Sequence, residues 1–311
     1  MNNLKKLGLT ALAGSLVAST ASAGALDVSG SASVKYQSKS GSSGTASVQG
    51  NPWSMGKGIT FSGSGDMDNG MTMSYAYVMT DAAFSSSSVS LDMGDAGTVS
   101  FGHVAAFGGI DTVKDKMPTA GEEVWDDHGT GDDAGVTDMG SDESLYYSVD
   151  MNGITASASY ARTGVGTDSS VALVAADLVE GAEFGLGLGT DVTATSGTEN
   201  DLTTAYAKYT TGPVTVGVQL SEIDKTATNG DIDREAAAIS FAVNENLSLS
   251  WGISTVSYED SSLVDAESTG ISASYTMGSM TVGAVANKTD SFGGASGTDR
   301  EFTEVSISFA F

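Results

Sequence analysis

The 311-residue chain has no cysteine, three prolines, two histidines and only 13 lysines and arginines. Each shortage closes off some chemistry. Without cysteine there is no disulfide framework, no thiolate metal site and no thiol nucleophile. The 13 basic residues face 39 aspartates and glutamates, which gives a net charge of −26 and an isoelectric point near 4.1. Phosphate backbones are bound by a basic footprint, so nucleic acid is not an expected partner. Two histidines do not make a histidine-based zinc site. No stretch beyond the N-terminus approaches the ~20 consecutive apolar residues of a spanning helix, and a helical membrane protein is ruled out. Yet hydrophobic residues make up 40% of the chain and its mean hydropathy is −0.01, too apolar for a disordered acidic tail.

The first residues have the form of an export signal. Lys5 and Lys6 precede an apolar run over residues 7–18, and Ala21-Ser22-Ala23 has the small-x-small form of a cleavage site. Residues 1–23 are therefore expected to be a signal peptide and residues 24–311 a single domain. The competing account is an amphipathic N-terminal helix of the folded protein.

Beyond residue 24 the period of two prevails over the helical period. Leu26, Val28, Gly30, Ala32, Val34 and Tyr36 alternate with Asp27, Ser29, Ser31, Ser33, Lys35 and Gln37. Met71, Met73, Tyr75, Tyr77 and Met79 repeat the pattern, and so do Leu247, Leu249, Trp251 and Ile253. Val305, Ile307, Phe309 and Phe311 end the chain the same way. Soluble sandwiches show the same alternation, so the punctuation carries the distinction. Tight turns are expected at Asp68-Asn69-Gly70, Gly94 to Gly97, Asn152-Gly153, Glu180 to Ala182, Thr211 to Pro213, Asn244 to Asn246 and Gly278-Ser279. Longer polar connections lie between them, at about 38–57, 80–84, 104–142, 164–169, 195–200, 225–232, 259–265 and 290–299. Seven short and eight long connections in alternation predict sixteen strands of roughly ten residues, the length that crosses a bilayer at a tilt. Within 170–179 and 201–210 the pattern leaves open which face points outward.

Three features in order resemble the sixteen-stranded general porins of Gram-negative bacteria, in particular the type of photosynthetic and marine alphaproteobacteria. They are the terminal strand Glu304 to Phe311, the opening strand Leu26 to Ala32, and the long connection 104–142 between strands five and six. The resemblance implies an all-β fold, a 16-stranded antiparallel transmembrane β-barrel with a long third external loop folded into the lumen. It implies residence in the outer membrane, contact with its lipid, and a homotrimer. It also implies that the barrel-assembly machinery reads Phe309 and Phe311. Two departures stand out. The second external loop, near Asp81-Ala82-Ala83, is too short to latch a neighbouring subunit well, and few arginines are available for a basic ladder opposite the acidic loop.

That loop carries Asp111, Asp115, Glu122, Glu123, Asp126, Asp127, Asp132, Asp133, Asp138 and Asp142, with Lys114 and Lys116 as local counter-charges and His103 and His128 nearby. Carboxylates at a constriction attract cations and repel anions. The competing account is a solvated acidic loop with no part in conduction. Asp126, Asp127, Asp132 and Asp133, and again Asp231, Asp233 and Glu235, also supply hard oxygens for calcium, though neither set follows the EF-hand spacing. Strand parity places Lys35, Arg234 and Arg300 on the polar phase, where they could oppose the loop acids from the lumen wall or close a salt bridge at a loop base.

Gly185-Leu186-Gly187-Leu188-Gly189 is not followed by a helix pattern and reads as strand glycine rather than a nucleotide loop. No GxSxG setting surrounds the serines of 85–90. The expected function is therefore non-enzymatic and needs no cofactor: passive diffusion of small hydrophilic solutes and ions, with cations preferred. The alternatives are a secreted or surface β-rich calcium-binding adhesin and a solute-specific channel.

Overall fold

The computed structural model describes residues 26–41, 51–81, 83–103, 108–126, 136, 143–176, 178–192 and 198–311. Sixteen strands follow in chain order. The first eight are β1 (Asp27–Gly41), β2 (Trp53–Asp66), β3 (Thr72–Thr80), β4 (Ala83–Asp92), β5 (Thr98–His103), β6 (Glu143–Asp150), β7 (Ile154–Arg162) and β8 (Thr167–Ala176). The rest are β9 (Ala182–Val192), β10 (Glu199–Thr211), β11 (Val214–Lys225), β12 (Ile232–Ala242), β13 (Leu247–Tyr258), β14 (Ala266–Met277), β15 (Met280–Asp290) and β16 (Arg300–Ala310). Each pairs antiparallel with its chain neighbours, and β1 pairs with β16 to close the barrel. The sixteen strands are those the turn chemistry predicts, but connection length does not alternate throughout: β3–β4 (residues 81–82) and β7–β8 (163–166), both expected to be long, are no longer than the tight turns. The signal-peptide expectation for 1–23 lies outside the described residues.

Closure leaves no strand edge unpaired. The register runs from Ser31 opposite Ala310 to Gly41 opposite Arg300. At the end of this seam the Gly30 and Phe311 backbones exchange hydrogen bonds of 2.7 and 2.9 Å.

The two faces of the wall have opposite chemistry. On β11, Val218 is 54% exposed while its neighbour Gln219 is 1% exposed, and Leu186, Leu220, Trp251, Ile271 and Ile307 all share the exposed apolar phase. A water-soluble protein does not leave so continuous an apolar surface uncovered. Lipid covers it in a transmembrane barrel. Near the rim of the short turns this phase carries Tyr75, Tyr147, Phe184, Tyr209, Tyr275 and Phe309, all exposed, as an aromatic girdle.

The strands of ambiguous facing are now assigned. In β8, Val171 and Leu173 point outward and Asp168, Ser170 and Ala172 are buried. In β10, Leu202, Thr204 and Tyr206 are the buried phase and Tyr209 is exposed. The wall is irregular between Val78 and Met79, where a β-bulge shifts the register of β3 against β4.

Candidate pore constriction

The segment 108–126 follows β5, and all of its described wall contacts fall on the buried phase. Gly108 and Gly109 have positive φ (94° and 55°), a region that favours glycine, and they turn the chain into a single 3-10 turn over Gly109–Thr112. The Ile110 amide donates to Ser170 Oγ on β8 at 2.8 Å. Gln219 on β11 then clasps the backbone. Its Nε2 donates to the carbonyls of Val113, at 2.9 Å, and Lys114, and its Oε1 accepts from the Lys116 amide at 3.1 Å. Farther along, the Ala120 amide donates to Ser250 Oγ on β13 at 2.9 Å, and the Thr119 hydroxyl lies 3.2 Å from that of Ser272 on β14. Asn287 on β15 donates to the Glu123 carbonyl at 3.0 Å. The segment therefore lies along the arc from β8 to β15, tied by hydrogen bonds between neutral side chains of the wall and its own backbone.

Its apolar side chains face the same wall. Ile110 and Val113 are fully buried, and Met117, Val124 and Trp125 nearly so. Trp125 lies under the Arg234 guanidinium, whose carbon is 3.6 Å from the ring centroid. Arg234 also donates from Nε to Ser254 Oγ at 3.2 Å and is only 2% exposed.

The segment meets the first strand at residue 122. Lys35 Nζ is 3.5 Å from Glu122 Oε1 and 3.1 Å from Glu304 Oε2, and Gln37 donates to Glu304 at 2.7 Å. A cavity of about 500 Å³ opens beside this bridge, bounded by Ser33, Gly58, Thr80, Glu122, Glu304 and Ser306. The chain then turns back: the Glu123 amide donates to Asp126 Oδ2 at 3.0 Å and the Asp126 amide to the Glu123 carbonyl at 3.1 Å. Burial, the hydrogen bond to Asp126 and the charges of Asp126 and Asp115 push the Glu123 carboxyl up to about 7. Burial and the neighbouring Lys208 ammonium lower the pKa of Lys116.

The sequence-predicted residues separate into groups. Asp111, Asp115, Glu122, Glu123 and Asp126 share this segment, whereas Asp127, Asp132 and Asp133 lie outside the described residues. Of the three basic wall residues, Lys35 meets a loop acid. Arg234 is on the inner phase but is capped by Trp125. Arg300 stacks 3.3 Å over the ring of Phe292, in the connection between β15 and β16. His103 departs from its expected place near the loop acids. It is on the outward phase, stacked on Phe84 with ring centroids 5.3 Å apart, its Nδ1 3.4 Å from Glu143. Among the described residues no three acidic or histidine side chains gather to hold a metal ion. Asp231 accepts from the Lys225 amide at 2.8 Å, while Asp233 and Glu235 point outward from β12.

Sequence reasoning missed the receivers: Ser170, Gln219, Ser250, Asn287 and Glu304 sit on inner phases without any pattern that sets them apart. The glycine alternation at 185–189 was the one available signal. Gly187 lies directly beneath Ile110 and Val113.

The comparisons agree with this architecture. Residues 8–311 match the family model described as Gram-negative porin. A multiply substituted variant of the Rhodobacter blastica porin superimposes with a TM-score of 0.67 at 15% identity, covering 92% of this chain and 100% of that one. A loop L8 deletion variant of OmpT, an outer membrane protein of Vibrio cholerae, gives 0.68 at 14% identity, with 93% and 99% covered. A comparison with curated proteins finds no match. The closed barrel with an apolar exterior and the match over nearly the whole chain lead to one conclusion: the chain belongs to the Gram-negative porin family of outer-membrane channel proteins.

Proposed function

We propose that the barrel is a diffusion channel for small hydrophilic solutes and ions, narrowed by the loop that contains residues 108–126, and that it prefers cations. The observation that carries this reading is an asymmetry of charge. Asp111, Asp115, Glu122, Glu123 and Asp126 lie on the loop segment, while the inner phase of β2–β5 presents Gly58, Ser62, Ser74, Ser88 and Ser100 in place of basic residues. Hydroxyls supply donors and acceptors without charge, so the field across the opening is set by the carboxylates. Flow runs down a concentration gradient and needs no catalytic group or cofactor.

On this reading residues 1–23 direct export, the longer connections face the exterior, and the girdle of tyrosine and phenylalanine sits at the periplasmic interface. The seam at Phe311 is what the assembly machinery engages, and the mature barrel assembles as a homotrimer. The test is the reversal potential of the refolded mature protein in a planar bilayer with a KCl gradient. A potential of cation sign supports the reading, and one near zero or of anion sign overturns the preference.

A further inference from the structure

The hydrogen bonds along 108–126 hold the loop against the wall. How closely it can settle is limited by contact between its apolar side chains and the strands beneath. Three inner-phase glycines on three different strands lie under successive apolar residues of the loop. A Cβ built on Gly187 of β9 would fall 2.6 Å from Val113 Cγ2 and 2.8 Å from Ile110 Cγ1. On Gly217 of β11 it would fall 2.6 Å from Pro118 Cδ, and on Gly252 of β13 3.0 Å from Val124 Cγ1. Carbon–carbon contacts at rest are about 3.5–4.0 Å, so an added methyl displaces the loop side chains above Gly187 and Gly217 by roughly 1 Å and the one above Gly252 by about half that. Gly58 on the bare side differs, since a Cβ there meets nothing closer than 3.6 Å. Glycine in a strand interior weakens the strand, and close approach of another chain segment is a reason to accept it.

We propose that Gly187, Gly217 and Gly252 form a seat for the loop whose depth sets the width of the pore, from positions that a permeating solute never touches. The inference rests on the reading of this loop as the constriction. Adding volume at the seat lifts the loop into the lumen, and removing volume from the loop side chain above lets it settle back. Gln219, Ser170 and Ser250 hold the loop laterally throughout, so the expected motion is a rise rather than a slide. These are positioning residues, and their effect on permeation passes entirely through the loop.

The test is single-channel conductance at high salt for Gly187→Ala, Gly187→Val, Gly217→Ala and Gly252→Ala, with Gly58→Ala as the comparison. Barrel formation is checked for each by strand circular dichroism and heat-modifiable gel mobility. The seat variants are expected to lower conductance, Val more than Ala at position 187, while Gly58→Ala changes it less. Val113→Ala added to Gly187→Val is expected to restore conductance, and this pair and the alanine variants decide the matter if Gly187→Val alone does not fold. Conductance unchanged in the seat variants, or no recovery in the compensated pair, overturns the proposal. A rise in conductance with noisy current also overturns it, because the loop is then released rather than lifted. Excision of 108–126 separates this inference from the reading beneath it. No change on excision sinks the constriction reading itself, whereas a rise on excision with inert seat variants sinks only the seat.

Discussion

On one arc of the inner wall, from β2 to β5, the inward positions include Gly58, Ser62, Ser74, Ser88 and Ser100, which face away from the bonds that hold the segment 108–126. On the other arc, from β8 to β15, the inward positions include Ser170, Gly187, Gln219, Ser250, Gly252 and Asn287, and that segment covers them. The two lists use nearly the same residue types. What separates them is a few groups with reach. Gln219 and Asn287 grip backbone at fixed points, and glycines beneath bulky loop residues leave room for close packing. A wall of small polar residues is thus a neutral surface that becomes pore lining or loop support according to what is laid on it.

The largest effect is expected from removing the difference between the arcs altogether. Replacing 108–126 by a short Gly-Ser link leaves all sixteen strands and their pairing untouched, because no ladder contact depends on the segment. Conductance should rise severalfold while the β-sheet signal by circular dichroism is retained. A barrel that conducts as before would mean that the covered arc is not where the channel is narrow.

Next in size is the charge asymmetry. Glu122→Gln, Asp115→Asn and Asp126→Asn together should cut the reversal potential in a KCl gradient to less than half. The same number of amide changes at Asp260, Asp265 and Asp290, on outer connections and the exposed strand end, should do little at high salt. Charges there are screened within a Debye length of ~3 Å at 1 M, whereas those beside a narrow opening act on the ion directly. Equal effects from the two sets, both erased by salt, would make the acidic segment an outer vestibule.

How much of this could be read from the sequence follows the same division. Strand number and connections were legible because turn chemistry is local: Asn69-Gly70 and Asn152-Gly153 mark hairpins whatever surrounds them. The facing of β10 was not legible, because its inner phase carries Leu202 and Tyr206, apolar residues that belong inside only because the loop packs there. Arg234 was assigned to the correct phase by parity, but its partner Trp125 is more than a hundred residues away in sequence and nothing local announces it. The receiving glycines looked like any strand glycine. Long-range packing onto a uniform wall leaves no periodic trace.

A smaller effect is expected at Arg234. Stacking of a desolvated guanidinium on an indole is worth about 2 kcal/mol, enough to influence the seating of a loop but not the closure of a barrel. Arg234→Leu should raise current noise and speed amide hydrogen exchange in 108–126, measured by mass spectrometry, with little change in thermal stability of the barrel. Arg234→Lys should fall between the two, since an ammonium keeps the charge and loses the planar stack. Exchange as slow in Arg234→Leu as in the parent would show that the Trp125 contact holds nothing in place.

The smallest effect tests whether the covered arc senses pH while the bare arc does not. Glu123 is half-buried beside Asp126, with the Asp115 charge also acting on it, and its carboxyl is raised from 4.5 to about 7. A carboxyl whose pKa is higher in the folded state binds a proton more tightly there than in the released loop. Its contribution to seating is therefore complete below pH ~4.5 and is lost as pH rises through about 7. Amide exchange in 108–126 should be slower relative to the intrinsic rate at pH 5 than at pH 8. Cation preference should move the opposite way, growing between pH 6 and pH 8 as Glu123 ionises. The serines of the bare arc do not titrate in this window and contribute no slope. Glu123→Gln should flatten both profiles while leaving a residual cation preference from Asp111, Asp115, Glu122 and Asp126. If the slope persists in Glu123→Gln, the titrating group is another carboxylate and the Glu123–Asp126 turn is not the pH-sensitive element of the loop.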